Sequence, residues 1–528
     1  MLTLTSITGL DLCLACVGVY LLKQVFNKKN PAAYPPGPPG WPLIGNVLDV
    51  PHIKPWLTFT EWGKKYGDIL HIEVLGQHIV VLNSLKTAMD MLDNKSTIYS
   101  DRPILPVGGE LIGWKNATPL LPYGDRLRRH RKNFHNVIGT RAAMGIYNQV
   151  EEVETRRFIK RVFKKPDQLE AHVRHTAGAV ILRISHGYEV KENDDPFVDV
   201  ADRALDQWSR VTAPGAFVAD VVPFLVKAPE WFPGAGFKRV AREWHDTLEE
   251  MVSAPYKFVV DQMAAGIAPE SFTSNLLGGS PLSAEDEHVV KWSAATLYAG
   301  ASDTTVSTIN SFFLAMTLFP DVQKKAQAEI DAVVGPDRLP SITDQDSLPY
   351  IGALAKEALR WHAVIPTGFP HCVSEDDIHD GYYIPKGTVV IPNIWFMLHD
   401  PEIYVNPRQF NPERFLANDG KKPETEPRTI CFGFGRRYLS RYAQLPNCIL
   451  TFSCFSFTGI HLVEASVWLS IAMSLAVFDI SKAVENGIEI IPDVDQSSGT
   501  ISHPKPFKCS IKPRSSKAVA LIEQDANY

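Results

Sequence analysis

The chain has 528 residues, of which 45% are hydrophobic and 21% charged, so it has an ordinary globular composition and enough length to bury a large core. Its 53 basic and 59 acidic residues give a net charge of -6, and this lack of a basic excess argues against a nucleic-acid partner. The cysteines number seven and are scattered, which is atypical of a disulfide-stapled secreted domain and favours a reducing compartment.

The amino terminus predicts a membrane anchor at 1–25. Residues Leu2 to Leu22 are mostly apolar, are long enough to cross a bilayer as a helix, and are followed at once by lysines, which favours a body in the cytosol. Asp11 weakens this interpretation, because a carboxylate in mid-membrane costs about 2.5 to 3.5 kcal/mol. A cleaved signal peptide is the alternative, although its basic residues are expected before the apolar stretch rather than after it.

A proline-rich hinge is predicted at 26–46. The prolines between Pro31 and Asn46 fix φ and remove N–H donors, which favours a stiff extended connector that holds the body at a set angle to the membrane. A plain proline-rich linker is the alternative. Since the rest shows no internal repeat and no second linker, residues 47–528 are predicted to form a single domain.

The body is predicted to be mainly α with small β-sheets. The pattern from Ile69 to Leu82, broken at Gly76, predicts two short strands and a turn. The stretch from Glu285 to Phe319 has apolar residues on nearly every face and no proline, which predicts one long helix buried through the centre. Short strands are expected again at Thr388 to Ile391 and after Ser502.

Small residues interrupt the predicted central helix. The run Tyr298 to Thr305 contains Gly300, and a glycine in mid-helix costs about 1 kcal/mol of helix propensity. Such a gap favours the close approach of something large and flat to the backbone, with the carboxylate of Asp303 and the hydroxyl of Thr304 beside it. For this motif alone, a threonine that bonds back to the preceding turn is the commoner explanation.

Further motifs carry charged side chains and glycines. Glu357 and Arg360 lie three residues apart on one helix face, which alone predicts a solvated ion pair worth a few tenths of a kcal/mol. Arg414 offers a second guanidinium to Glu357, and such a buried triad would pin two distant segments together. The run Cys431 to Arg437 alternates glycine with phenylalanine, which predicts a tight loop whose backbone approaches a planar cofactor.

These motifs, in this order and at these separations, resemble those of the cytochrome P450 family. The stretch around Asp303 is similar to the family's distal-helix motif, and Glu357 to Arg360 is similar to its E-x-x-R motif. Pro412 to Phe415 resembles the P-E-R-F motif, and Phe432 to Arg437 resembles the start of the F-x-x-G-x-R-x-C-x-G haem loop. The amino-acid sequence is most similar to those of fungal members that act in secondary metabolism.

The resemblance implies the cytochrome P450 fold, with a long central helix over a haem pocket, and haem b (iron protoporphyrin IX) as cofactor. It implies that Asp303 and Thr304 relay protons during dioxygen activation. At Leu127 the family usually has a tryptophan that donates to a haem propionate, which leucine cannot do. The residues implied to border or bind the haem are Arg131, Ala299, Gly300, Ala301, His371, Phe432, Gly435 and Arg437, and those implied to be structural are Glu357, Arg360 and Arg414.

The resemblance also implies an activity and its setting. The expected reaction is a monooxygenation, in which one oxygen atom from dioxygen is inserted into a lipophilic small molecule. Electrons would come from NADPH through cytochrome P450 reductase. The expected location is the endoplasmic reticulum membrane, with the catalytic body facing the cytosol.

The haem loop departs from the family pattern after Arg437. Leu439 stands where the family has the iron-ligating cysteine, and because a leucine cannot bind iron no metal ligand is assigned. The pattern resumes at Gly459, so residues 438–458 form an atypical insertion where the family has three residues. The insertion lacks Asp and Glu and ends in residues with pyrimidine-rich codons, which favours a translated intron. Cys448 and Cys454 inside it are poor replacements, and a catalytically inactive relative is the alternative function.

Overall fold

The computed structural model describes residues 30–213, 215–232, 234–279, 281–417, 420, 422–437 and 460–524, together with Gly18. The insertion at 438–458 lies outside the described residues, and so does the anchor at 1–25 except for Gly18. Within the described ranges, no helix combines the length and the apolar character that a membrane span requires. The anchor therefore stays a prediction.

Helices dominate the described chain, as predicted. Those of eight residues or more are α1 Pro55–Tyr66, α2 Asp125–Ile138, α3 Asn148–Lys164, α4 Leu169–His186, α5 Pro196–Val211, α6 Phe237–Ala264, α7 Ala284–Leu318, α8 Pro320–Val333, α9 Pro349–Trp361, α10 Ile460–Val477 and α11 Ser516–Glu523. Shorter α-helices are Leu85–Ala88, Ser96–Tyr99, Arg141–Met144, Val218–Val221, Phe272–Leu277, Ile394–Leu398 and Arg428–Cys431. Tighter or wider turns of helix are Met89–Asn94, Pro106–Leu111, Trp114–Asn116, Gly145–Tyr147, Pro166–Gln168, Pro223–Lys227, Ile342–Ser347, Pro412–Phe415 and Gly435–Arg437.

The strands form small sheets. They are β1 Ile69–Val74, β2 Gln77–Leu82, β3 His371–Cys372, β4 Asp377–His379, β5 Tyr382–Ile384, β6 Val389–Pro392, β7 Phe478–Lys482, β8 Val484–Glu485, β9 Ile488–Glu489 and β10 Cys509–Pro513. The largest sheet has the order β1-β2-β6-β3, and the others pair β10 with β7, β4 with β5, and β8 with β9. The predicted break at Gly76 is confirmed as the turn of the β1–β2 hairpin, where φ is +88°.

The long central helix is confirmed as α7. Its first turn is capped by the side chain of Ser283, which accepts a hydrogen bond from the backbone N–H of Asp286, and acidic side chains follow where the helix dipole favours them. The helix ends at Leu318 because Pro320 has no N–H to continue it. Most α7 side chains from Val289 onward are buried, so the helix has no solvent face and the remaining helices pack around it.

The described part of the proline-rich segment lies against the β1–β2 hairpin. Tyr34 stacks on the ring of His71, with ring centroids 4.8 Å apart. The backbone N–H of His71 donates to the carbonyl of Pro36 at 2.9 Å, and the side chain of Asn46 accepts from the N–H of Glu73 at 3.1 Å. The segment from residue 30 onward is therefore part of the folded body.

Candidate active site

A cavity of about 250 Å³ lies along the middle of α7. One wall is formed by Ala299, Gly300, Ala301 and Thr304 of α7, and Phe432 to Phe434 of the glycine-phenylalanine loop also border it. The structure thus brings together the small-residue gap of the central helix and a loop more than a hundred residues later. Most of the other lining side chains are apolar.

Gly300 opens this cavity at the helix surface. A Cβ placed on Gly300 would meet no heavy atom within 4 Å, so the missing side chain leaves room that nothing else fills. A mid-helix glycine costs about 1 kcal/mol of helix propensity, and here no packing of the backbone against a neighbour compensates for that cost. The gap serves the cavity rather than the packing of α7.

Two basic residues implied by the family resemblance also line the cavity. Arg131 of α2 donates from Nη1 to the carbonyl oxygen of Arg436, and burial lowers the pKa of its guanidinium to about 10. His371 of β3 contacts the carbonyl oxygen of Tyr99 through Nδ1 at 2.7 Å. Leu127 lies on the same wall and brings no hydrogen-bond donor.

Cys431, the first residue of the predicted cofactor loop, borders the cavity as well, although it is not among the haem residues that the resemblance implies. Among the described cysteines that carry free thiols, Cys372 and Cys509 lie elsewhere. Burial, followed by the nearby charge of Glu426, raises the pKa of the Cys431 thiol far above its ordinary value, so the sulfur is held as a neutral thiol. No cluster of three or more His, Cys, Asp or Glu side chains that is suited to a metal ion occurs among the residues described.

Asp303 and Thr304 face different surroundings although they are neighbours. Thr304 lines the cavity, and its hydroxyl donates to the carbonyl oxygen of Gly300 at 2.8 Å. Asp303 is buried behind the wall, where its Oδ1 lies 3.1 Å from Nη1 of Arg174 and 3.1 Å from Nε2 of His503. Burial alone would raise the pKa of Asp303, but the hydrogen bonds and charges of His503 and Arg174 outweigh it and hold that pKa below its ordinary value.

The predicted charged triad forms and is fully buried. Arg360 donates to both oxygens of Glu357, at 2.7 Å and 2.9 Å, and Nε of Arg414 lies 3.2 Å from the same carboxylate. The backbone N–H of Asn411 adds a further donor at 2.8 Å. Because Glu357 and Arg360 are 0% exposed, the solvated ion pair that the E-x-x-R spacing predicts by itself is wrong. The triad instead joins α9 to the turn Pro412–Phe415.

The glycine-phenylalanine loop depends on backbone conformations that favour glycine. Gly433 has φ +88° and Gly435 has φ +76°. A Cβ on Gly435 would lie only 2.5 Å from the carbonyl oxygen of Leu92, whereas one on Gly433 would meet no heavy atom within 4 Å. The short helix Gly435–Arg437 ends the described part of the loop. The side chain of Arg437 is not among the described parts of the chain.

Replacing Gly435 with alanine is expected to destabilise the protein by more than about 2 kcal/mol, since it adds a backbone clash to the strain of a positive φ. Gly433→Ala is the matched control and should cost only the conformational penalty, about 1 to 2 kcal/mol. Urea unfolding of both variants measures the difference. Equal losses of unfolding free energy in the two would contradict the packing of Gly435 on Leu92.

Comparison with known proteins agrees with this arrangement. The sequence model of the family "Cytochrome P450" matches residues 35–438, so the match ends at the first residue of the predicted insertion. The chain is 50% identical to cytochrome P450 monooxygenase 208 of Postia placenta, over 97% of each chain. It is 46% identical to cytochrome P450 monooxygenase claR of Ampulloclitocybe clavipes, over 98% of this chain and 93% of that protein.

A third relative is cytochrome P450 monooxygenase ppsD of Aspergillus oryzae, which is 39% identical over 98% of this chain and 96% of its own length. These similarities extend well beyond the matched motifs and cover nearly the whole chain. The resemblance inferred from the sequence motifs is confirmed. The protein belongs to the cytochrome P450 family, whose members are haem-dependent monooxygenases.

Proposed function

We propose that the protein is a haem b monooxygenase that acts on a lipophilic small molecule in the cavity beside α7. The observation that carries this proposal is the cavity itself, because its apolar wall meets the gap at Gly300 and the glycine-phenylalanine loop. An apolar wall with few polar groups favours ligands that are largely apolar. The inserted oxygen atom would come from dioxygen.

The residues of the cavity fit a porphyrin in part. The apolar wall suits the flat macrocycle, and Arg131 and His371 are among the cavity-lining side chains whose N–H groups suit its propionates. Haem bound through a cysteine thiolate supplies the activation of dioxygen. The protein's own part would be to exclude water, to orient the substrate and to relay protons through Asp303 and Thr304. The iron ligand does not fit, since Leu439 occupies its place in the sequence.

A catalytically inactive relative is the second candidate, and Leu439 is the observation that favours it. A side chain without a lone pair cannot bind iron, and without a thiolate the oxygen–oxygen bond is not activated in this family's way. Such a protein would keep the fold and the apolar cavity. It would bind lipophilic ligands without oxidising them.

We propose the endoplasmic reticulum membrane as the location, with the body in the cytosol. Besides the predicted anchor, two exposed apolar groups support it: Trp231 and Phe224 are 81% and 71% exposed, and Trp41 near the start of the body is 60% exposed. Exposed aromatic side chains are suited to the interface of a bilayer.

Electrons would reach the haem from NADPH through cytochrome P450 reductase. The exposed side chains of Arg128 and Lys132 on α2, together with Arg436 of the loop, support this proposal, whereas Arg126 beside them is paired with Glu285. They give the protein a basic surface next to Arg131, which lines the cavity. Such a surface attracts an acidic partner and speeds its association.

A Gly300→Leu variant tests whether the cavity binds apolar ligands. The added side chain enters open space, so the variant should fold normally and gain up to about 1 kcal/mol of helix stability while it fills the cavity. We expect its affinity for naphthalene, measured by fluorescence titration, to fall at least about tenfold, which is about 1.4 kcal/mol. Thermal unfolding measured in parallel shows whether the fold is intact.

Gly352→Leu is the matched control, because Gly352 also lies within a helix, has no heavy atom within 4 Å of a Cβ position, and is not part of the cavity wall. It should leave naphthalene binding unchanged. Unaltered binding in Gly300→Leu would contradict the proposed ligand site.

A further inference from the structure

The segment Thr500 to His503 connects the cavity to the buried carboxylate of Asp303. The side chain of Ile501 lines the cavity, and His503, two residues later, reaches Asp303 through Nε2. Both residues belong to one short stretch of backbone without regular secondary structure. A change at the cavity wall therefore has a direct path of two residues to the carboxylate.

This segment is held on several sides. The hydroxyl of Ser307 on α7 donates to the carbonyl oxygen of Ser502 at 2.6 Å, and Nε2 of His362 lies 3.1 Å from the same oxygen. The N–H of Ser502 donates to the carbonyl of Val364 at 2.8 Å. These bonds hold Ser502 in a fixed geometry between Ile501 and His503, so the segment has little slack and the positions of the two side chains are coupled.

The other end of the segment contacts the helix that closes the cavity. Thr500 and Thr212 share a hydrogen bond between their hydroxyls at 2.7 Å, just past the end of α5. Trp208 of α5 lines the cavity together with Ile501. A ligand that fills the cavity thus touches both α5 and the segment.

His503 has one ring nitrogen on Asp303 and the other buried without a hydrogen-bond partner among the described residues. A proton on Nδ1 would be a buried donor that lacks an acceptor, whereas a proton on Nε2 is accepted by the carboxylate. The geometry therefore favours an imidazole ring that donates from Nε2 to Oδ1 of Asp303. The bond depends on where the ring is held, and thus on the segment.

We propose that His503 is a positioning residue for Asp303, and that the segment Thr500 to His503 transmits the filling of the cavity by an apolar ligand to that carboxylate. The inference rests on the proposed function, because it takes Asp303 as a proton-relaying group of that site. Arg174 contacts the same oxygen through Nη1 at 3.1 Å and also lowers the pKa of Asp303. The other charged and titratable groups around the pair are Glu170 of α4, Asp202 of α5 and His362.

The first test follows His503 directly while a ligand binds. The full chain, labelled with nitrogen-15 in its histidine rings, is titrated with naphthalene, and the His503 signals are assigned by their loss in His503→Gln. We expect the Nε2 signal of His503 to shift on saturation. Ile501→Ala should still bind naphthalene but should lose most of that shift.

The outcomes separate the two proposals. Binding of naphthalene with an unmoved His503 signal, or with an equal shift in Ile501→Ala, overturns this inference and leaves the proposed function standing. No binding of naphthalene at all contradicts the proposed ligand site, and this inference falls with it.

The second test measures the positioning of Asp303 by its titration. In His503→Leu the carboxylate loses a donor and keeps its burial, so the pKa of Asp303, followed by its carbon-13 signal, should rise. His503→Gln keeps an N–H donor and should restore most of the original value, and it serves as the folded comparison if His503→Leu is too unstable. An unchanged Asp303 titration in these variants would overturn the positioning role.

Discussion

Replacing Glu357 with alanine is expected to destabilise the fold by about 3 to 5 kcal/mol, because it leaves the guanidinium groups of Arg360 and Arg414 buried without their shared carboxylate. A loss of that size is a large fraction of the total stability of a typical domain. Urea unfolding of the full chain measures it, and a sharp fall in soluble yield should accompany it. Glu357→Gln keeps the shape of the side chain and should lose less.

The matched control for Glu357 is an ion pair at the surface. Lys257 and Asp261 lie 2.6 Å apart on α6, and both side chains are more than half exposed. Asp261→Ala should change the free energy of unfolding by no more than about 0.5 kcal/mol. If Glu357→Ala were as mild as this control, the triad would not be what joins α9 to the turn that contains Arg414.

Replacing residues 438–458 with Ile-Cys-Pro is expected to give the chain the cysteine ligand to haem iron that it otherwise lacks. The new cysteine stands two residues after Arg437, where the family has its iron ligand. Both flanks already border the same cavity, Phe432 to Phe434 on one side and Val463 of α10 on the other. The reduced carbon monoxide difference spectrum should show the thiolate band in the shortened chain and not in the full-length chain.

A shortened chain with Ile-Ser-Pro is the control, since it has the same length and offers no thiolate. It should remain folded and give no thiolate band. A thiolate band from the full-length chain would contradict the prediction, and its loss in Cys431→Ser would identify the sulfur that lines the cavity as the ligand. Sequencing of the mature transcript tests the intron hypothesis separately, because a transcript that encodes residues 438–458 would refute it.

Much of the fold could be predicted from local patterns. The β1–β2 hairpin is predicted by alternating apolar residues around Gly76, and α7 is predicted by apolar residues on nearly every face without a proline. The partners of Glu357 were predictable because the three motifs occur in a known order. Their complete burial was not predictable from the i and i+3 spacing alone, since that spacing is equally common on solvated helix faces.

The contacts that the sequence did not reveal join residues far apart in the chain. Arg174 and His503 meet at Asp303 across 129 and 200 residues, and neither belongs to a motif. Cys431 borders the cavity only because the short helix Arg428–Cys431 turns it inward. Local periodicity carries no information on such long-range contacts, which depend on how the helices pack.

The parallel pairing of β2 with β6 sets an order of events during synthesis. Ile79 to Leu82 pair in register with Val389 to Pro392. The inner edge of the first hairpin therefore stays unpaired until about 300 more residues have been synthesised. At a ribosomal rate of roughly 5 to 20 residues per second, that edge stays open for roughly 15 to 60 s. An unpaired, largely apolar strand edge invites pairing with another chain, so the nascent protein needs protection by chaperones during this interval more than it does after release.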